Sequence, residues 1–465
     1  MTAGIADLLF RPRSVVVYGA SSDRDKLSGR PLDYLKRFGF HGSVYAVNPR
    51  RTEVQGVPAF PSISDVPGPI DLAIVVVPAE SVLEALENCA AHGVGAAIIF
   101  ASGYAESGPE GAAEQQKITD LCRRTGMRVL GPNCLGSFSV VDDTYATFST
   151  AFDDDTVKAD SPIGLVTQSG AVGTFTYSAM NALGVGTRYF ANTGNQSDID
   201  VVEILRALVD EPQAQILMGH LEDGRDVEAL EGLARAAAAA DKPLVILKGG
   251  RTPAGARAVM AHTGSVAGDL DAFERALETH GGIAVRGLED WSDVALALRD
   301  GRIPQGRRLT FVTLSGGCAA IASDAAVEAG LVVDTWTSST DRDRIAARLP
   351  GFASTLNPID MTGAMLTDLD SLAEALDVVS ANEETDAICV VLGNADRGSA
   401  EIVESLRRAY AATDKPFLVS WTGGSGRPRQ QLLEMGVPVF SEPGRAVRAL
   451  ARVAQAADRR RRARG

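Results

Sequence analysis

The chain has 465 residues, 45% of them hydrophobic and 22% charged, with a net charge of −14 from 45 Lys and Arg against 59 Asp and Glu. That length suggests about three domains, and the composition excludes a disordered or collagen-like chain. The acidic balance argues against nucleic acid, whose phosphates need a basic face. No apolar run reaches the roughly 18 residues that span a bilayer, so a membrane is not an expected partner. The opening MTAGIADLLFRPRS has no apolar signal core, which points to a cytoplasmic protein.

In chain order, SVVVYGA at Ser14 to Ala20 reads as a buried strand, followed by SVYAVNP, DLAIVVVP, AAIIFASG and RVLGPN. Helical patterns over 31–38, 79–92 and 111–125 lie between them. The polar stretch 153–162 reads as a linker. A second series begins at IGLVTQSG and continues through TRYFANTG, QILMGHLED, PLVILKGG and IAV, with a helix over 290–299. After the break DGRIPQGRR, a third series has LTFVTLSGG, LVVDTW, DAICVVLGNA, PFLVSWTGG and VPVF. The basic tail 459–464 reads as a solvated, frayed terminus. Apolar strands alternating with helices predict parallel sheets covered on both faces. The fold class is therefore α/β, with three doubly wound units over 1–150, 151–303 and 304–465.

On such sheets ligands bind at the carboxyl ends of the strands. The first such loop, GASSDRDKLSGR, brings Gly19, Ala20, Ser21, Ser22 and Lys26 before a helix, where backbone N–H groups favour phosphate. It is not GxGxxG. The second strand ends in Asn48-Pro49-Arg50-Arg51 rather than in an acid, which disfavours NAD and suits a phosphorylated ribose. A turn of this kind also occurs with no ligand. The remaining strand ends are Val77-Pro78, Ser102-Gly103 and Asn133-Cys134.

In the second series Gln168-Ser169-Gly170 joins a strand to a helix, so that Ser169 can cap it and the amides beyond can hold an anion. GxSxG is absent, and a serine nucleophile is the poorer reading. The stretch KGGRTPAGARAVMAHTGSVAG, from Lys248, reads as a long small-residue loop around His262. A lone histidine is usually structural; here it could accept a phosphoryl group if a carboxylate oriented one ring nitrogen. Glu222, at a strand end, is the candidate orienter, or else a solvent-facing acid. The five Cys and five His are scattered, without CxxC or HExxH spacing, so neither a disulfide framework nor a catalytic transition metal is expected. There is no Walker A pattern and no ATP-grasp-like segment.

VVVYGASSD, VYAVNP, DLAIVVVPAE, SGYAE, GPNCLG, VTQSGAVG, NTGNQSDID, LKGGRTPAGARA with AHTGSVAG, and NPIDMTG occur in the order and spacing of a known family. From Leu9 to about Val453 the chain resembles the α subunit of NDP-forming (ADP-forming) acyl-CoA synthetases, relatives of succinyl-CoA synthetase. The resemblance implies an N-terminal Rossmann-like CoA-binding domain and two flavodoxin-like ligase domains. It implies that His262 is transiently phosphorylated, that Glu222 holds it, and that Gln168, Ser169 and Gly170 receive the phosphoryl group. It assigns CoA to Gly19, Ala20, Ser21, Ser22, Lys26, Asn48, Arg50, Val77, Pro78, Gly103, Asn133 and Cys134. CoA is then a substrate alongside phosphate and a small carboxylic acid. ATP or ADP with Mg2+ is left to a separate ATP-grasp β subunit in an α2β2 assembly. The chain departs from the family's usual residues at Ala261, where Ser is common, and at Thr313-Leu314-Ser315, where Thr-Asn is usual before Gly-Gly. The competing readings are a catalytically inactive CoA-binding sensor or scaffold of the same fold, and a nicotinamide-dependent oxidoreductase. His262, Glu222 and the Gln168–Gly170 turn oppose the first. The basic end of the second strand opposes the second.

Overall fold

The computed structural model describes residues 4–152, 160–224, 226–263, 266, 268–366 and 368–464. Most of the stretch read as a linker, 153–162, lies outside them. The chain divides into two compact units, Met1–Ser178 with Gly186–Arg286, and Ala179–Val185 with Gly287–Gly465.

The first unit holds two sheets. Strands β1 (Ser14–Tyr18), β2 (Ser43–Val47), β3 (Glu53–Val54), β4 (Val57–Phe60), β5 (Leu72–Val75), β6 (Ala96–Ile99) and β7 (Arg128–Leu130) form one, in the order β3-β4-β2-β1-β5-β6-β7. All pairs are parallel except the short β3–β4 hairpin. Counting only the parallel strands, the order is 3-2-1-4-5-6, the Rossmann arrangement. The third of these, β4, carries Pro58 and sits near the edge, where a missing N–H is tolerated; that proline hides it from a reading by β-branched runs. Chain order reverses between β1 and β5, and there Gly19 has φ +93 and a Cβ would lie 2.7 Å from Val77 Cγ1.

The second sheet has β8 (Gly136–Ser139), β9 (Thr144–Thr147), β10 (Ile163–Thr167), β11 (Tyr189–Asn192), β12 (Ile216–Leu221), β13 (Leu244–Lys248) and β14 (Ile283–Val285). The order is β14-β13-β12-β10-β11-β8-β9. Its parallel strands run 2-1-3-4-5, the flavodoxin order, and the antiparallel hairpin β8–β9 extends it beyond β11. This hairpin precedes residue 150 in sequence but hydrogen-bonds into the second sheet. The two sheets share an apolar core in which Leu9, Val15, Ile74, Leu130, Val166, Tyr189 and Leu205 are buried. Phe10 of the helix Ile5–Phe10 meets Tyr189 edge-on at 5.3 Å, and Phe138 stacks on Phe190 at 5.2 Å. Arg128 on β7 pairs with Asp198 at 2.9 Å and Glu203 at 2.8 Å, both beyond β11. Aspartates cap the flanking helices: Asp200 accepts from Glu203 N, Asp226 from Ala229 N and Asp269 from Ala272 N.

The second unit holds β15 (Leu309–Thr313), β16 (Ile359–Asp360), β17 (Ala387–Gly393), β18 (Phe417–Thr422) and β19 (Val439–Phe440), all parallel, in the order β16-β15-β17-β18-β19. This too is 2-1-3-4-5. LVVDTW, read as a strand, makes only the isolated bridge Arg308–Val332. Its Trp336 is buried and donates Nε1 to Thr310 Oγ1 instead, and the edge position is taken by Ile359–Asp360. The basic tail is not frayed: it is the last turn of the 22-residue helix Pro443–Arg464. Arg460 is buried, Arg461 donates to Pro304 O, and upstream Arg445 and Arg452 pair with Asp293 and Asp290 of the helix Leu288–Leu298. These partners are remote in sequence, so composition alone reads the run as solvated.

Candidate active site

His262 lies in the last turn of the helix Pro253–Thr263, where the sequence suggested a loop. Alanine, the strongest helix former, supplies 4 of the 11 residues of this helix. Pro253 opens the helix with its preset φ, and Thr252 Oγ1 accepts from Gly255 N. A basic side chain in the last turn also suits the helix dipole. His262 is therefore held on a helix, and Gly250, which precedes that helix, takes φ +70. Gly264, Ser265 and Ala267 of the same motif lie outside the described residues.

The imidazole is 63% exposed, so it is not a packed core histidine. Its Nδ1 is 3.7 Å from Oε2 of Glu222, which is buried at the end of β12. Gln168 fixes this strand end: its Oε1 accepts from Glu222 N at 2.7 Å and from Asp223 N at 3.0 Å. Gln168 is therefore tied into the base of the site, in addition to bordering the cavity.

That cavity, of about 330 Å³, joins His262 to Gln168, Ser169, Gly170 and Ala171 at the start of the helix Gly170–Ala182. Ser169 Oγ lies 3.5 Å from Val172 N, the geometry of an N-cap at its limit. Leu27, Phe100, Ser102, Asn133, Cys134 and Leu135, from loops that follow strands of the first sheet, line the cavity with Phe148, which follows β9 of the second, and with Asn192 and Gly194. Phe100 and Phe148 meet edge-on at 4.7 Å. Asn192 Nδ2 donates to Thr167 O and Gln168 O while its Oδ1 accepts from Leu135 N, so one side chain locks the helix start to the first-sheet wall. Gly194 has φ +56, and a Cβ there would fall 2.3 Å from Pro132 O.

The sequence-based site residues thus divide into groups. His262, Gln168, Ser169, Gly170, Asn133 and Cys134 border one cavity, with Glu222 behind the imidazole. The Cys134 thiol is buried, donates to Ile99 O at 3.3 Å, and is pushed up to about 12 by that burial, so it is no nucleophile. Gly19, Ala20, Ser21, Ser22, Lys26, Asn48, Arg50, Val77, Pro78 and Gly103 lie on the first sheet's strand-end loops outside this cavity. Asn48 Nδ2 donates to Ala20 O and its Oδ1 accepts from Arg50 N, bringing the first two loops together. Lys26 and Arg50 are exposed, available to an anion. Gly103 N donates to Glu106, which also accepts from Asn195, itself bonded to Asn133. Burial would raise the Glu106 carboxyl, but the bond from Asn195 and the backbone bonds outweigh it and lower it.

Sequence reasoning missed the apolar wall and the residues beneath His262. Leu27, Phe100 and Phe148 carry no motif, and only the fold gathers them. His220 is buried under the site, with Nδ1 lacking a hydrogen-bond partner, and is pushed down to about 4 by burial and then by Lys248 and His262. Lys248 is buried as well and pushed down to about 8 by burial, against the pull of Asp223 and Glu222. Among the described residues no cluster of His, Cys, Asp and Glu could hold a metal ion, and no helix is long and apolar enough to cross a membrane.

Residues 13–138 match the CoA binding domain family and residues 160–298 the succinyl-CoA ligase like flavodoxin domain, which makes this an α/β CoA-ligase-class protein. Two curated relatives from Pyrococcus furiosus match most of its length. The acetate–CoA ligase [ADP-forming] II subunit alpha is 30% identical over 442 residues, 94% of each chain, and the I subunit alpha is 31% identical over 453 residues, 96% of each. A solved structure of Ca. Korarchaeum cryptofilum dinucleotide forming acetyl-coenzyme A synthetase 1, in complex with phosphate and ADP, superposes with TM-score 0.90 at 28% identity, covering 99% of this chain and 98% of that one. The chain belongs to the family of ADP-forming acyl-CoA synthetase α subunits.

Proposed function

We propose that this chain is the α subunit of an acid–CoA ligase and that His262 carries the phosphoryl group between an acyl phosphate and a nucleotide. The observation that carries this reading is an exposed imidazole bordering the same cavity as a helix start, with a buried carboxylate 3.7 Å behind it. In the direction of acyl-CoA breakdown, phosphate attacks the thioester carbonyl, and CoA leaves as the thiol. The acyl phosphate then loses its phosphoryl group to Nε2 of His262, releasing the carboxylate. Backbone amides beyond Ser169 hold the phosphoryl oxygens, since the chemistry moves negative charge and little else. Glu222 accepts from Nδ1–H, which leaves Nε2 as the nucleophile and stabilises the cationic ring once phosphorylated.

On the same reading CoA binds at the β1–β5 switch point, with Lys26 and Arg50 facing its phosphates and Gly19 allowing close approach. Gly103, Asn133 and Cys134 line the way to the cavity. ADP with Mg2+ sits on a separate ATP-grasp β subunit in an α2β2 enzyme of the cytoplasm. The relatives named for acetate support a small carboxylic acid as substrate. The sensor alternative is disfavoured by the retention of His262 and Glu222 together.

The full chain incubated with acetyl-CoA and labelled phosphate should gain one acid-labile phosphoryl group. Peptide mapping should find it on His262, and His262→Asn should abolish it. Equal labelling of wild type and His262→Asn would sink the assignment.

A further inference from the structure

We infer that Lys248 is a positioning residue for the phosphoryl acceptor: it ties together the two strand ends that carry Glu222 and the His262 helix, and so holds the carboxylate against the imidazole. The inference rests on the phosphohistidine reading above. Lys248 is the last residue of β13, and its Nζ donates to Glu222 O at 2.7 Å and to Gly249 O at 2.6 Å. One ammonium thus bridges the end of β12 and the Gly249–Gly250 segment leading to the His262 helix. The ring of Phe273 lies 5.6 Å from Nζ and shields it. Gly249, whose carbonyl Lys248 holds, runs beside the Glu222 side chain: a Cβ built on it would be in ordinary contact, 3.4 Å from Glu222 Cγ and 3.5 Å from His220 Nε2.

A buried cation costs stability unless its donors are well used. The third sheet shows how the same two strand ends are tied without one. There the corresponding residue is Thr422, whose Oγ1 donates to Ser441 O. Asn394 and Asp396 make the tie instead, accepting from Gly424 N at 3.0 Å and Ser425 N at 2.7 Å. In that arrangement Asn394, at the register position of Glu222, and Asp396 two residues beyond it each accept from a backbone N–H of the next loop. In the second sheet the lysine donates to main-chain carbonyls, and the strand-end carboxylate of Glu222 is directed at His262.

The test is a double-variant cycle on the full chain. It reads single-turnover phosphoryl transfer from acetyl-CoA and phosphate to His262, together with the 15N shifts that report the His262 tautomer. Lys248→Met should slow transfer by about tenfold or more, the scale for disturbing a carboxylate that orients an imidazole, with CoA affinity unchanged. It should also reduce the Nδ1–H tautomer as Glu222→Gln does. The double variant should be no slower than Glu222→Gln alone, because both act through one contact. Transfer within twofold of wild type in Lys248→Met, or a double variant showing the product of both losses, overturns the inference. If Lys248→Met does not fold, Lys248→Gln takes its place in the cycle with the same outcomes. Absence of any label on wild type overturns the phosphohistidine reading itself and is distinguished from a failure of the Lys248 role by that control.

Discussion

At the end of β10, Thr167-Gln168-Ser169-Gly170 leads into a helix; at the end of β15, Thr313-Leu314-Ser315-Gly316 does the same. Both sheets run 2-1-3-4-5, and both fourth strands end in a Gly-Gly pair, at 249–250 and 423–424. The side chains at the strand ends differ. The second sheet sets Gln168, Glu222 and Lys248 around a histidine. The third has Leu314 in place of the glutamine, Asn394 in place of the glutamate with Asp396 beyond it bound to Ser425 N, and Thr422 in place of the lysine. One backbone plan thus occurs twice in the chain, and the chemistry follows from a few side chains at the carboxyl edge.

That contrast can be broken most severely at its two acids. Glu222→Gln should slow phosphorylation of His262 on the order of 10–100-fold, the range for removing an orienting carboxylate, while CoA affinity holds. Asp396→Asn should leave the labelling rate within twofold. Parallel labelling time courses decide it, and equal losses in the two variants would erase the distinction between the sheets.

The second sheet also buries a titratable group beneath the site. His220 is held neutral in the fold, pushed from its usual 6.5 to about 4 chiefly by burial. The unfolded chain therefore binds a proton below pH 6.5 that the folded chain refuses until about pH 4. Stability contributed by this group is present above pH 6.5 and is lost as pH falls toward 4, by about 3 kcal/mol over the window. Urea unfolding of wild type and His220→Gln at several pH values should show the shallower slope in the variant. Identical slopes would mean that the imidazole reaches solvent.

The smallest effect is at the shared cap. Ser315 Oγ accepts from Cys318 N at 3.4 Å, and Ser315→Ala should cost about 1 kcal/mol of stability, the usual range for a lost N-cap. Ser169→Ala should weaken phosphate retention more than stability. Melting curves set beside phosphate competition of the labelling reaction separate the two serines.

Much of this was legible beforehand because it is local. Apolar runs marked most strands, Gln168-Ser169-Gly170 announced a helix start, and the absence of an acid after Val47 separated this nucleotide fold from the NAD type. The errors also have local causes. Pro58 hid β4. The alanines around His262 were taken for flexibility, although alanine favours helix. The arginines at the C-terminus looked solvated because Pro304 and the acids of the helix Leu288–Leu298 are remote in sequence.

The sequence by itself determined the three strand-and-helix series and the family, and singled out His262 and Glu222 as candidates, because periodicity and motifs are written in neighbouring residues. Only the tertiary structure decided that the β8–β9 hairpin extends the second sheet, that Leu27, Phe100 and Phe148 wall the cavity, and that Lys248 lies beneath Glu222. Those facts depend on strand order and on side chains brought together from distant positions, and chain-local chemistry carries no record of either.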